Sequence, residues 1–246
     1  MERGRLYIQP TEADWTDANY NVYTELKINQ IWRVKTATLL SKIDILQMLL
    51  DAEEIEKFSR YQQDARQIRI VCRAVLRILI GRYLSIEPKE IKLKLDHQKK
   101  PVLQNNHTKN IHFNVSHSGD WILIALSTNP IGVDLEQINA SFTYQNLLDF
   151  SFSLKEKSYI QTSKVPVESF YKLWTRKEAL LKATGKGLID ELASIPSLDG
   201  SHQNPSQLIN STESWQITSF SIDENHIGSA AFMPVKTALQ FLNFQL

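Results

Sequence analysis

The sequence predicts an α+β protein made of two similar α/β subdomains, each an antiparallel sheet packed with one long helix. Residues 62–84 and 167–184 each form a long segment with apolar residues at helical spacing. Short segments of alternating apolar and polar residues flank both helices, as strands do. The same outline in both halves indicates an approximate twofold relation, with the active site in the cleft between them. We place the boundary after Asn129, which gives subdomains 1–129 and 130–246.

The composition is that of an ordinary globular protein in a reducing compartment. The chain has 246 residues, of which 42% are hydrophobic and 22% charged. Its formal net charge of +1 provides no overall field that would attract nucleic acid or a membrane. The single cysteine, Cys72, cannot form an internal disulfide, and its apolar surroundings in the sequence predict a core position. Without a signal-peptide pattern or a run of roughly 18 apolar residues, we expect a cytoplasmic protein that binds neither nucleic acid nor membrane.

The first half contains one long helix and several short elements. Residues 1–27 are polar and mixed, so we expect irregular structure there. Asp51 and Glu54 have the spacing of a capping box that opens a helix. Gly119 in H-S-G-D favours a tight turn between two strands. The pattern predicts strands at 30–36, 91–95, 111–116 and 121–127, and helices at 41–50 and 62–84.

Four arginines on the long helix form one basic stripe. They follow at spacings of three and four residues, at positions 66, 69, 73 and 77. A solvated helix face is one interpretation. The other is that one guanidinium of the stripe binds a phosphate, whose geometry the arginine fork matches.

The second half repeats the plan. The pattern predicts a strand at 131–136, helices at 144–149, 154–162 and 167–184, a loop at 190–214 and a closing hairpin of strands at 215–222 and 227–232. In I-G-V-D-L-E, Asp134 and Glu136 point to the same side of the strand. Two adjacent carboxylates repel each other unless a cation lies between them, and hard ions such as Mg²⁺ suit oxygen ligands. A solvated sheet edge is the alternative interpretation.

The long second helix carries the segment W-T-R-K-E-A-L-L-K-A-T-G-K-G-L, from Trp174 to Leu188. Glu178 and Lys182 are four residues apart and share a helix face, and Lys177 lies beside Glu178. A carboxylate among lysines suits a site that holds a metal ion and a phosphorylated ligand together. The same spacing is also that of an ordinary surface salt bridge.

Three blocks together resemble a known family. F-N-V-S-H-S-G at 113–119, I-G-V-D-L-E at 131–136 and the segment at 174–188 resemble the 4′-phosphopantetheinyl transferases, specifically the larger, monomeric Sfp type. The resemblance runs from about Arg60 to the final hairpin. It implies Mg²⁺- or Mn²⁺-dependent transfer of the phosphopantetheine arm of coenzyme A to a serine of an apo acyl or peptidyl carrier protein. Such enzymes serve polyketide, nonribosomal peptide or fatty acid synthesis.

The resemblance also implies roles for individual residues. The metal ligands would be Asp134, Glu136 and Glu178. Lys182 would stabilise charge on the pyrophosphate or donate a proton, and Lys177 would contact phosphate.

The resemblance further implies residues that bind the nucleotide of coenzyme A. Ser116 and His117 would hold the adenine and 3′-phosphate. Lys100 would also contact the nucleotide, although Lys99 replaces the glycine of the family's G-K-P. From the arginine stripe we choose Arg73, with Arg69 as its competitor.

The base that activates the carrier serine is left open between Glu178, Glu156 and a water molecule. A metal-bound carboxylate is a poor base because the cation lowers its pKa, which favours Glu156 or water. Two other functions remain as alternatives: a non-catalytic relative that binds coenzyme A or a carrier protein, and a Mg²⁺-dependent phosphohydrolase.

Overall fold

The computed structural model describes residues 4–18, 20–23, 26, 28–96, 100–104, 110–187, 189–234 and 239–246. Within these residues the helices are α1 Ile43–Gln47, α2 Ala52–Ser59, α3 Gln63–Leu84, α4 Gln145–Ser151, α5 Leu154–Thr162, α6 Pro166–Thr184 and α7 Ser206–Ile209. The strands are β1 Arg5–Pro10, β2 Trp15–Asp17, β3 Gln30–Lys35, β4 Leu93–Leu95, β5 Pro101–Leu103, β6 His112–Ser118, β7 Trp121–Ser127, β8 Ile131–Gln137, β9 Gly200–Gln203, β10 Trp215–Asp223, β11 His226–Phe232 and β12 Gln240–Asn243.

Two five-stranded sheets, each packed with one long helix, confirm the predicted fold class. The first has the order β2-β12-β3-β7-β6 and packs with α3, and the second has the order β8-β11-β10-β1-β9 and packs with α6. Apolar side chains from both sheets, including Leu123, Val133 and Phe220, form a further core where the sheets meet. None of the described helices has the length and apolar content needed to cross a membrane.

The terminal strands exchange between the two halves of the chain, which the sequence did not predict. β1 belongs to the second sheet, where it pairs parallel with β10. β12 belongs to the first sheet and pairs parallel with both β2 and β3. The expectation of purely antiparallel sheets is therefore wrong for these strands, and so is the expectation of irregular structure throughout residues 1–27. The boundary after Asn129 stays a prediction.

The edge strands β6 and β8 lie side by side and join the two sheets. Alternate side chains of β6 accept hydrogen bonds from the backbone of β8, where two strands of one sheet would share a ladder of backbone hydrogen bonds. Asn114 Oδ1 accepts a hydrogen bond from the backbone N–H of Val133, and Ser118 Oγ accepts one from that of Gln137. The blocks 113–119 and 131–136, separate in the sequence, are thereby brought into one place.

Candidate active site

A glycine sets how closely helix α6 approaches strand β8. A Cβ atom at Gly132 would lie 2.1 Å from the carbonyl oxygen of Ala179 and 2.3 Å from the amide nitrogen of Ala183. Any larger residue would push the helix away. The glycine of I-G-V-D-L-E is therefore a packing requirement that brings Glu178 and Lys182 beside Asp134.

Lys182 is at the centre of the resulting cluster. Its Nζ lies 2.6 Å from Asp134 Oδ1 and 3.0 Å from Ser116 Oγ, and Ser116 Oγ also donates to Asp134 Oδ1 at 3.1 Å. Lys100 Nζ donates to the backbone carbonyl of Lys182 at 2.7 Å. Two ammonium groups therefore converge on the cavity that Glu178 and Gly185 also line.

The carboxylates of the cluster are incompletely paired. Asp134 Oδ2 and Glu178 Oε1 are buried and have no hydrogen-bond partner among the residues that the structure describes. Glu136 Oε2 accepts from Ser118 Oγ at 3.2 Å. Burial and then the negative charges of Asp134 and Glu136 raise the pKa of Glu178 to about 7. Burial also raises the pKa of Asp134, and burial together with the charge of Asp134 raises that of Glu136.

Two unpartnered carboxylate oxygens are donors of the type that Mg²⁺ prefers, so the residues fit such an ion chemically. In the part of the chain that the structure describes, however, no three His, Cys, Asp or Glu side chains are gathered closely enough to hold a metal. The Lys182 ammonium occupies Asp134 Oδ1 instead. Metal binding by Asp134, Glu136 and Glu178 therefore stays a prediction.

The raised pKa of Glu178 predicts a pH-dependent stability of the metal-free protein. The folded state keeps the proton up to a pH of about 7, whereas the unfolded state releases it near its ordinary value of about 4.3. The folded state binds more protons between these values, so stability should fall as pH rises from 5 to 7.5. In Glu178→Gln the fall should be smaller by about 1–2 kcal/mol. Urea unfolding in chelator at several pH values measures it, and equal slopes for both proteins would contradict it.

A second cavity adjoins the first, with Pro101 and Val115 shared between them. It has an apolar floor and a basic rim, and its lining includes Lys57, Phe58, Tyr61, Arg69, Cys72, Arg73 and His117. His117 is exposed, and desolvation of its ring followed by the charges of Arg69 and Lys182 lowers its pKa. Cys72 borders this cavity besides packing on the core, and burial raises the pKa of its thiol to about 12, which makes it a poor nucleophile.

The arginine stripe divides into paired and unpaired members. Arg77 is buried and pairs with Asp51 and Glu54, the capping-box residues of α2. Arg73 Nε pairs with Glu54 Oε1 at 2.9 Å. Arg69 stacks on the Tyr61 ring at 4.0 Å, and its Nε has no hydrogen-bond partner in the described part of the chain. Both Arg69 and Arg73 line the basic cavity. Of these two, Arg73 pairs with a carboxylate and Arg69 pairs with none among the described residues, so the structure favours the competitor over our choice.

The structure argues against two of the predicted roles. Lys177 is fully buried, and its Nζ donates to Glu156 Oε2, the Ser151 carbonyl and the Leu192 carbonyl. The Lys177 ammonium is therefore directed into the core, whereas Glu178 lines the cavity. Phosphate contact by Lys177 is therefore wrong for this arrangement.

Glu156 is also enclosed, which argues against it among the three candidates for the base. Its carboxylate accepts hydrogen bonds from the backbone and hydroxyl groups of both Ser153 and Ser197, besides Lys177 Nζ. A carboxylate with every oxygen occupied and only 2% exposure has no route to a substrate proton. The S-L-K-E capping box at 153–156 was a sequence signal for this structural role.

The remaining predicted residues lie in or beside the two cavities. Lys100, Glu178 and Lys182 line the first cavity, and His117 lines the second. Ser116 and Asp134 contact Lys182, and Glu136 lies on the same strand as Asp134 and contacts Ser118. Sequence reasoning missed Asn114, Lys57 and Tyr61, and only the alternation N-V-S-H-S could have pointed to Asn114. Lys99 and Leu188 lie outside the described residues.

Two family models match consecutive parts of the chain. One, described as 4′-phosphopantetheinyl transferase, N-terminal, matches residues 30–129, and the other, described as 4′-phosphopantetheinyl transferase superfamily, matches residues 130–231.

Among similar proteins, a putative 4′-phosphopantetheinyl transferase of Synechocystis sp. is 38% identical over 163 residues, which cover 65% of each chain. The 4′-phosphopantetheinyl transferase HetI of Nostoc sp. is 28% identical over 82% of this chain and 86% of its own. The Sfp transferase of Bacillus subtilis is 28% identical over 56% of this chain and 62% of its own. The match thus spans slightly less than two thirds of the Synechocystis and Bacillus relatives.

Proposed function

We propose that this chain, which belongs to the 4′-phosphopantetheinyl transferase superfamily, transfers the phosphopantetheine arm of coenzyme A to a serine of an apo carrier protein. The observation that carries the proposal is the meeting of two unlike sites. A cluster of unpaired carboxylate oxygens and ammonium groups adjoins a cavity with an apolar floor and a basic rim. Coenzyme A fits this arrangement, because its pyrophosphate suits the ammonium groups and its nucleotide suits the adjoining basic cavity.

The reaction is a displacement at phosphorus. The serine oxygen forms a bond to the β-phosphorus, the bond from that phosphorus to the bridging oxygen breaks, and adenosine 3′,5′-bisphosphate leaves with the electron pair. When bound by Asp134, Glu136 and Glu178, Mg²⁺ or Mn²⁺ would neutralise charge on the phosphate oxygens. Positioning and charge neutralisation supply most of the catalysis in such transfers.

The lysines contribute fixed positive charge at the pyrophosphate. Lys182 Nζ is the side-chain cation beside Asp134, and Lys100 Nζ lies against the Lys182 carbonyl in the same cavity. An ammonium within contact distance of the leaving oxygen stabilises the charge that develops there. Since Glu156 is enclosed and a metal-bound Glu178 would be a poor base, we assign the serine proton to a water molecule.

We assign the basic cavity to the adenosine 3′-phosphate, with Arg69 and His117 as its ligands. Replacement of Arg69 with alanine should raise the KM for coenzyme A by about tenfold, the cost of one charge-assisted hydrogen bond. The KM for 3′-dephospho-coenzyme A should change little, because the group that Arg69 binds is missing. Steady-state kinetics with both substrates measures the difference.

Arg66→Ala is the matched control for Arg69→Ala, because Arg66 lies on the same helix and its guanidinium contacts Gln47. Its KM for coenzyme A should stay within about twofold of the parent value. An equal loss with both substrates in Arg69→Ala would place Arg69 elsewhere than at the 3′-phosphate.

Product analysis separates the proposal from its two alternatives. The folded protein is incubated with coenzyme A and Mg²⁺, with and without apo carrier proteins from different pathways. A transferase releases adenosine 3′,5′-bisphosphate only with a carrier, whereas a phosphohydrolase releases free phosphopantetheine without one. Binding of coenzyme A with no product in either arm would favour the binding protein. We further propose that the protein is a cytoplasmic monomer that acts on polyketide, peptide or fatty acid carriers.

A further inference from the structure

We infer that Lys182 is an internal counter-ion that excludes the metal from the carboxylate cluster until coenzyme A binds. The inference rests on the proposed function and extends it to the order in which metal and coenzyme A enter. Lys182 Nζ lies 2.6 Å from Asp134 Oδ1, and the side chain of Asp134 is 6% exposed. The ammonium therefore occupies one oxygen of the carboxylate that the metal would use.

The cluster requires a cation in either state. Among the described residues, Asp134 Oδ2 and Glu178 Oε1 are buried without hydrogen-bond partners, and Glu136 adds a third carboxyl group nearby. A buried carboxylate without a compensating charge is strongly destabilising. Lys182 supplies that charge in the metal-free protein, and Ser116 Oγ helps to hold its Nζ there.

The same contact opposes metal binding. A divalent ion on Asp134 would lie next to the ammonium in a site of low dielectric, where like charges repel strongly. Either the ion stays out or the Lys182 side chain leaves. Its side chain is 29% exposed, so it can turn into the adjoining cavity.

Coenzyme A gives the displaced ammonium a new partner. The cavity that Lys182, Lys100 and Glu178 line is where we place the pyrophosphate. An anionic pyrophosphate would attract the Lys182 ammonium from Asp134 and leave the carboxylates free for the metal. Metal and coenzyme A therefore bind cooperatively, and each must tighten the other by the same factor.

The test is Mn²⁺ binding to the full chain without coenzyme A, measured by electron paramagnetic resonance of the free ion. Lys182→Met should bind Mn²⁺ about tenfold or more tightly than the parent protein, within the usual range for coupled sites. The tightening that coenzyme A produces should be smaller in the variant by the same factor. Lys182→Arg keeps the charge and should match the parent.

Lys172→Met is the second control, because it removes an ammonium of the same helix α6 that contacts Tyr159 rather than a carboxylate of the cluster. It should leave Mn²⁺ affinity without coenzyme A unchanged. If Lys182→Met does not fold, Lys182→Gln replaces it, and the Mn²⁺-induced rise in melting temperature should exceed that of the parent. If Lys182→Met and Lys182→Gln both bind Mn²⁺ no more tightly than the parent, the inference is overturned. Failure of the parent to bind coenzyme A even with Mn²⁺ would instead refute the proposed function.

Discussion

Replacing Asp134 with asparagine should lower kcat for carrier modification by about 10²–10³-fold, the range for loss of one group that stabilises transition-state charge. Asp134 is the carboxylate that Lys182, Ser116 and the predicted metal share. The amide keeps the shape but removes the negative charge, so the predicted metal loses a charged ligand. The rate is measured from the mass gain of an apo carrier protein over time.

The variant should remain folded, because loss of one negative charge relieves repulsion on Glu178 and Glu136. Its far-ultraviolet circular dichroism should match that of the parent, and Mg²⁺ added together with coenzyme A should raise its melting temperature less than that of the parent. Glu168→Gln, an exposed change near the start of the same helix α6, is the matched control and should retain full activity. Near-parental transfer by Asp134→Asn would remove Asp134 from the reaction.

Replacing Lys177 with methionine should lower the free energy of unfolding by about 3–5 kcal/mol, the cost of breaking a buried ion pair on one side. The Lys177 ammonium pairs with Glu156 and also donates to the carbonyls of Ser151 and Leu192. Methionine fills similar space but leaves the Glu156 carboxylate charged in the core. Urea denaturation at constant pH measures the loss.

Lys172→Met on the same helix is the comparison, since the Lys172 ammonium contacts the Tyr159 hydroxyl and ring rather than a buried carboxylate. Its free energy of unfolding should change by less than about 1 kcal/mol. This pair of variants separates a structural from a catalytic Lys177. A Lys177→Met protein with parental stability and no transfer activity would restore the phosphate-binding role that the structure contradicts.

The spacing of apolar residues predicted much of the architecture, because the helices near the cleft are long and the strands there alternate apolar and polar residues clearly. Helix α3 was expected at 62–84 and lies at Gln63–Leu84, and α5 lies where it was predicted. Helix α6 ends at Thr184, where the predicted helix 167–184 also ends, and the next residue, Gly185, has the positive φ that is common there. Asp134, Glu178 and Lys182 were predicted together, and the structure brings them together.

The misjudged residues depend on partners distant in the sequence. Arg73 and Arg77 are neutralised by Glu54, which lies on α2, and no local pattern shows that pairing. The resemblance assigned Lys177 to phosphate, although its ammonium is directed into the core. That the buried Lys177 ammonium pairs with Glu156 is visible in the structure alone.

The terminal strands were missed for a different reason. Strand β1 is paired in parallel with β10, about 200 residues later, and β2 has three residues. A short strand has too few residues for a clear alternation of apolar and polar side chains. Two parallel strands are not joined by a hairpin turn, so no turn signal in the sequence indicates their pairing. The exchange of β1 and β12 between the sheets depends on strands far apart in the sequence, so no local pattern predicts it.

The most direct test of the central claim is the intact mass of an apo carrier protein after incubation with this protein, coenzyme A and Mg²⁺. We expect a gain of one phosphopantetheine on the carrier serine, lost with chelator and lost when that serine is alanine. The claim would be contradicted if a panel of folded apo carriers from different pathways gained no mass while the protein bound coenzyme A.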